Sequence, residues 1–305
     1  MRKIGKYLIK GLLFLVGSLP LKALYCLSAP MAWLMRCVLR YRRSVVEDNI
    51  RQAYLDKTPA EIKRIVKDFY RHFADMQLEM IWFGQCRNPE RLARQNIVSL
   101  EGTEALNEMY SSAPSVMVLT SHTGNWELFG GIETYSNGRL CFTENEFCMV
   151  YRQMESKVWD EIIADNRAAP FRNKPCKGYV ETAQLIRYAF RHSAEKICYV
   201  AITDQRPYFK SPANIDVSFM GRTCKTMTGG AALAHKFGMA VCYLSIRNPR
   251  RGHYVYDFIP ICADGKQMSV ADMMKRYYEL LEADLRAEPA NYLWSHKRWK
   301  WATRG

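Results

Sequence analysis

What this 305-residue chain lacks removes several classes of explanation before any residue is singled out. Its ten cysteines, at 26, 37, 86, 141, 148, 176, 198, 224, 242 and 262, form no Cys-x-x-Cys pair. Spacing therefore disfavours a zinc site, and length rules out a small disulfide scaffold. Several lie inside apolar runs, such as Cys198 and Cys242, which predicts small buried hydrophobes in a reducing compartment. No Walker loop and no Gly-x-Gly-x-x-Gly is present, so no nucleotide site is indicated. Repeats and low-complexity linkers are also missing, and 49% hydrophobic with 24% charged residues is the composition of a folded chain with a real core. No apolar run reaches the roughly 20 uninterrupted residues of a clean transmembrane helix. Most telling, no acidic residue precedes Glu47.

What is present is positive charge. Lys and Arg number 44 against 30 Asp and Glu, a net +14, which calls for an anionic partner: nucleic acid, a phospholipid surface or a phosphorylated substrate. Nine bases (Arg2, Lys3, Lys6, Lys10, Lys22, Arg36, Arg40, Arg42 and Arg43) precede Glu47 and bracket two apolar runs, 11–21 and 23–35. A cleaved signal peptide shares the basic start, but here the apolar character resumes beyond Lys22. Two ordinary core helices would leave those bases without acidic neighbours. A membrane anchor accounts for both features, with bases at the lipid headgroups. Pro20 and Pro30 break or kink any helix drawn through both runs, so a helical hairpin or shallow insertion fits as well as one span. We therefore expect an anchoring segment over 1–46 and one domain over 47–305. Nucleic acid would be better served by a basic face with exposed stacking aromatics, and is not expected as a partner.

Thr58, Pro59 and Glu61 read as an N-cap, a first-turn proline and a capping-box acid, opening a helix that runs to Phe83 and stops at Gly84. Beyond it, short apolar runs at 115–120, 146–151, 196–202, 239–246 and 254–259 alternate with helical patterns at 127–134, 158–167, 182–192, 228–237 and 270–286. This rhythm predicts an α/β fold with a mixed, mostly parallel sheet flanked by helices, whose chemistry lies at the carboxyl ends of the strands.

The first strong strand runs into Ser121, His122, Thr123, Gly124, Asn125, Trp126 and Glu127. On a straight helix five residues turn about 500°, leaving His122 and Glu127 roughly 140° apart. They face each other only if the chain bends, and Gly124 and Asn125 are the residues that tolerate a bend. Glu127 would then orient one ring nitrogen of His122 and leave the other as a base toward a substrate hydroxyl. A histidine at a helix start beside a helix-favouring glutamate is the plain alternative.

The box from His122 to Glu127, with its strand, resembles the H-x-x-x-x-[D/E] motif of glycerolipid acyltransferases, in the form carried by the lipid A late acyltransferases, the lauroyl/myristoyl transferase family. Further boxes resemble that family in the right order: 41–50 after the anchor, Val150, Tyr151 and Arg152 in the following strand, Asp204 with Gln205, Phe219 to Gly221 with Thr226 to Gly229, and the Trp294, His296 and Arg298 signature. Departures are Gln153 after the basic residue and Arg206 with Pro207 after the Asp-Gln pair, and they bear on which acceptor is used.

The resemblance implies a glycerolipid acyltransferase-like fold. It also implies transfer of a fatty acyl group, from acyl carrier protein or coenzyme A as co-substrate and without a further cofactor, to a hydroxyl of a lipid A-type glycolipid. The place would be the cytoplasmic face of the bacterial inner membrane. It makes His122 and Glu127 catalytic, and Arg152 a contact for phosphate or oxyanion. Asp204 and Gln205 are read as site scaffold, and Arg222 and Lys225 as candidate phosphate contacts. Trp294, His296, Arg298 and Trp299 read as a docked terminal segment, and His72, His192, His235 and His253 have no supporting context. A lysophospholipid, aminolipid or mannoside acceptor is the alternative within the same chemistry, and a non-catalytic basic peripheral membrane protein the alternative outside it.

Overall fold

The computed structural model describes residues 2–171, 178–207, 214–299 and 303–304, so Cys176 lies outside them. Two helices lead, α1 (Arg2–Ser18) and α2 (Leu21–Trp33), followed by α3 (Arg43–Ala53) and α4 (Pro59–Phe83). Then come α5 (Pro89–Gln95), β1 (Val98–Glu101), α6 (Thr103–Ser112), β2 (Val116–Thr120), α7 (Ile132–Ser136), β3 (Phe147–Tyr151), α8 (Lys157–Arg167), β4 (Tyr179–Glu181) and α9 (Leu185–Arg191). The chain ends with β5 (Cys198–Ile202), β6 (Asp216–Phe219), β7 (Arg222–Lys225), α10 (Gly229–Phe237), β8 (Ala240–Arg250), β9 (His253–Cys262), α11 (Val270–Ala287) and β10 (Thr303–Arg304).

The α/β expectation holds. Seven strands pair in the order β1-β9-β8-β2-β5-β3-β4, parallel at every junction except the antiparallel β8–β9 pair. A small antiparallel sheet, β10-β7-β6, lies apart. Burial on both faces explains the unbroken apolar runs: Met117 and Leu119 of β2 enter one core with α10 and α11, while Val116 and Val118 enter the other with α6. Cys148, Cys198 and Cys242 behave as small core residues, whereas Cys26 and Cys141 are exposed, so burial does not extend to every cysteine.

Local signals produce the helices that matter here. Thr58 caps α4 by accepting from the Glu61 N–H, while its own N–H donates to the Glu61 carboxylate at 2.7 Å. The expected helix over 127–134 instead begins as a 3-10 turn, Trp126–Gly131, which tightens the chain just after the His122 loop before α7.

The amino-terminal helices break at Pro20, which has no N–H to continue the α1 ladder, and meet at 115°. Neither alone is long and apolar enough to cross a membrane; the bent pair passes that test together. Pro30 sits inside α2, and one π turn, Leu34–Val38, follows. On α1, Leu8, Leu12 and Leu15 form one outward stripe that Leu19 continues just past the helix end, and the four are 70, 62, 67 and 40% exposed. Its inner side approaches α4 so closely that a Cβ on Gly17 would lie 2.5 Å from the Ile81 carbonyl oxygen. Lys6 pairs with Glu161, and Lys10 with Asp165 at 2.5 Å, one turn apart along α8. The early bases therefore do not all lack acidic neighbours. Some find theirs about half a chain away, where composition along the sequence does not look. The boundary expected at residue 46 falls inside α3, where Val46 is fully buried.

Candidate active site

The register of the central strands builds the site. Thr120 of β2 pairs with Ile202 of β5, and the Thr203 N–H extends the ladder to the Thr120 carbonyl at 2.9 Å. His122 and Asp204 each stand two residues past those paired ends, which brings them side by side. Asp204 Oδ1 accepts from the His122 backbone N–H at 3.1 Å and lies 2.7 Å from the ring Nδ1. That contact places the ring proton on Nδ1 and leaves Nε2 as the proton acceptor. Gln205 presents its Nε2 to that nitrogen at 3.3 Å, and Trp126 packs edge-on against the imidazole. Burial works against a charged Asp204, but the neighbouring His122 and the hydrogen bonds from His122 and Tyr292 outweigh it and hold the carboxyl below its usual value.

The bend expected between His122 and Glu127 is there. Gly124 has φ +56, and a Cβ at that position would meet Ile246 Cγ2 at 2.2 Å, so both conformation and space require glycine. The loop is pinned from several sides: His72 Nε2 lies 3.3 Å from the Gly124 carbonyl, and the Tyr256 hydroxyl donates to the Asn125 carbonyl at 2.6 Å. The Asn125 amide donates to Glu79 at 2.9 Å. Glu79, wholly buried on α4, also accepts from the Tyr25 and Tyr254 hydroxyls at 2.7 Å. Burial raises its carboxyl above the usual range despite those bonds. His72, given no role from sequence, thus supports the loop.

Among the described residues Glu127 makes no hydrogen bond to His122. Its two oxygens accept from Arg167 Nε and Nη2, both at 2.6 Å, and one also accepts from the Trp126 indole at 3.2 Å. Burial opposes its charge, and Arg167, followed by the nearby His122, overcomes this and keeps the carboxyl low. The pairing expected of Glu127 is made by Asp204, because parallel pairing of β2 with β5 brings residue 204 closer to the ring than a five-residue loop brings residue 127. Arg167 carried no signal in the sequence beyond lying at a helix end.

A cavity of about 320 Å³ opens above these residues at the carboxyl ends of β2, β3, β4 and β5. His122, Glu127, Arg152 and Gln205 line it, as do Tyr151, Arg167, Gly229 and Gly230, while Asp204 lies behind His122, 1% exposed. A Cβ on Gly230 would press on Leu119 at 2.9 Å, so α10 starts tight against β2. Arg222 and Lys225 are not brought to this cavity. They sit on the small sheet, where Arg222 donates to Gln52 at 2.5 Å and Lys225 pairs with Asp216 at 2.7 Å. The glycine- and threonine-rich stretch does reach the cavity, but through Met227, Gly229 and Gly230 rather than through its bases.

The terminal segment is docked, as expected, and it backs the site. The Leu293 N–H donates to the His122 carbonyl at 3.0 Å. Trp294 is fully buried, and Arg298, 2% exposed, donates to the Tyr278 hydroxyl at 2.9 Å between the rings of Phe219 and Tyr278. Among the described residues no group of three or more His, Cys, Asp or Glu is arranged to hold a metal ion.

A buried aspartate paired to a histidine beneath a cavity, with the second imidazole nitrogen facing the cavity beside Gln205, can withdraw a proton from a bound hydroxyl. The family model described as bacterial lipid A biosynthesis acyltransferase matches residues 1–301. A comparison with curated proteins found no match.

Proposed function

The chain belongs to the bacterial lipid A biosynthesis acyltransferase family, hence is an acyl-transferring enzyme, and from that premise we propose how its own residues perform the transfer. The acceptor hydroxyl enters the cavity and takes the place that Gln205 holds beside His122 Nε2. The ring removes its proton as the oxygen attacks the thioester carbonyl. Asp204, ionised and fixed by two bonds, stabilises the imidazolium that forms. Collapse of the tetrahedral intermediate expels the thiolate, which takes the proton back from His122, so no residue is left acylated and no cofactor beyond the thioester is consumed. Arg152, at the end of β3 on the cavity wall, stabilises the oxyanion or holds an acceptor phosphate. Glu127 and Arg167 form a neutral strut for the cavity wall.

The donor in this reading is an acyl carrier protein thioester, and the acceptor a lipid A-type glycolipid held at the cytoplasmic face of the inner membrane. The outward leucine stripe of α1 supports placing the bent helices in the lipid, since full burial of each such side chain is worth about 1.5–3 kcal/mol. The observation that carries the mechanism is the 2.7 Å contact between Asp204 and His122 at the cavity floor.

The test is transfer by the purified protein in detergent, with acyl carrier protein or coenzyme A thioesters offered to a phosphorylated lipid A precursor and the product weighed by mass spectrometry. A mass gain of one acyl chain with the carrier-protein donor is expected. Transfer only to a lysophospholipid would replace the acceptor, and equal or better transfer from coenzyme A would replace the donor.

A further inference from the structure

A second cavity, of about 640 Å³, shares no lining residue with the catalytic one. It lies between the π turn that leaves α2, the helix α3 and the start of α4. Five bases line it, Arg36, Arg43, Arg51, Lys57 and Lys63, against a single acid, Glu47. Glu47 is engaged by Arg43 at 2.8 Å and by Arg51 at 3.9 Å, and Lys57 stands 3.9 Å from Glu61 outside the cavity. Arg36 and Lys63 make no hydrogen bond or ion pair among the described residues, and Tyr70 is a near electrostatic neighbour of Arg36. Like charges gathered around one hollow repel each other, a cost that an anion placed between them would reverse.

The surroundings say what kind of anion. The floor is apolar, formed in part by the buried Ile62 and Val66, and Leu55 on the lining is 85% exposed. Val38 and Leu39, which follow Arg36 and Cys37 directly in the chain, are 55 and 65% exposed. Arg36 stands on the first helical turn after the apolar pair α1–α2, so with that pair in lipid the hollow lies at headgroup depth. We propose that this cavity is a binding site for the phosphate headgroup of an anionic membrane lipid, separate from the acceptor site, with Arg36 and Lys63 meeting the phosphate and Leu55 the start of the acyl region. The proposal rests on the reading that the bent helices lie in lipid. Continuity with those helices favours a lipid over an acidic carrier protein.

The experiment is flotation of the full chain with phosphatidylcholine vesicles and with vesicles about one-third phosphatidylglycerol, at physiological ionic strength. Wild type should bind both and prefer the anionic vesicles by roughly tenfold, the effect of one to two bases at a charged surface. The double variant Arg36→Gln/Lys63→Gln should lose that preference and keep its binding to phosphatidylcholine. Lys266→Gln/Lys275→Gln, which removes the same charge elsewhere, should keep the preference. If both double variants lose it equally, net charge and not the cavity is responsible, and the site is overturned. It is also overturned if Arg36→Gln/Lys63→Gln keeps the preference, if that variant loses only transfer from the carrier-protein donor, or if inorganic phosphate alone abolishes the preference at millimolar level. Failure of wild type to bind either vesicle would instead remove the lipid placement of the helices on which the site depends.

Discussion

The carboxyl end of the sheet and the amino-terminal helices break the ordinary rule of burial in opposite directions. At the first, Glu79, Glu127, Asp204 and Arg298 are buried; at the second, Leu8, Leu12 and Leu15 stand in the open. Buried charge is tolerable where it is paired or fully hydrogen-bonded: Asp204 pairs with His122 and Glu127 with Arg167, while Glu79 and Arg298 are held by hydrogen bonds to tyrosine hydroxyls. Exposed leucine in a stripe has no such internal remedy among the described residues, and the proposed lipid contact would supply one from outside. One region therefore owes its properties to contacts within the fold, and the other, in the proposed reading, to the lipid the fold is placed against.

The sharpest way to break this comparison is at the Asp204–His122 pair. His122→Ala and Asp204→Asn should each lower kcat by about 10²–10⁴, the former by removing the base and the latter by leaving the ring without its orienting acceptor. Both proteins should fold, as judged by circular dichroism. Near-normal turnover in Asp204→Asn would return the orienting role to another residue.

Glu127→Gln should act on stability, because it leaves the partly buried Arg167 without its counter-charge. A loss of about 3–5 kcal/mol in urea unfolding is expected, and Glu127→Gln/Arg167→Met should recover part of it. Unchanged stability with a collapsed kcat would show that Glu127 works on His122 after all.

A smaller effect is expected from pH. Burial holds the His296 imidazole down at about 4 and lowers His72 as well, so both stay neutral when folded while the unfolded chain takes up protons below about 6.5. Stability should therefore fall as pH drops from about 6.5 toward 4. Asp204 and Glu127, held low, contribute above their unfolded values near 4 and lose that contribution as pH falls further, while the raised Glu79, Asp257, Asp284 and Glu288 oppose the trend. Urea midpoints against pH would read this, and a flat profile between 7 and 4 would contradict it. His296→Gln should flatten the upper limb.

The smallest effect on the fold is expected from the leucine stripe. Leu8→Gln/Leu12→Gln/Leu15→Gln should change unfolding free energy by no more than about 0.5 kcal/mol per site, yet release the protein from membranes in flotation. A large fall in melting temperature would mean that the stripe packs within the molecule.

Much of the scaffold was legible because its signals are local. The Thr58 capping box, the apolar runs of β2, β5 and β8, and the glycine at the bend after His122 act through neighbours a few residues away. Asp204 was legible as a site residue, but its role was not, since that depends on β5 pairing beside β2 in one register. Arg222 and Lys225 were read as phosphate contacts from charge and neighbouring glycines alone. The separate small sheet carries them away from the cavity. Glu79 and His72 gave no signal, because a carboxylate or imidazole on an amphipathic helix becomes a loop support only when another element closes over it.

The sequence by itself determined the alternating strand and helix order, the bend at Gly124, the unbalanced early bases and the reactive histidine at a strand end, all of which follow from short-range sterics, periodicity and composition. Tertiary structure alone decided which carboxylate holds His122, which arginine neutralises Glu127, and which early bases pair with α8. These choices compare energies of groups tens to hundreds of residues apart, and only the packed fold, by setting their distances, makes one pairing win.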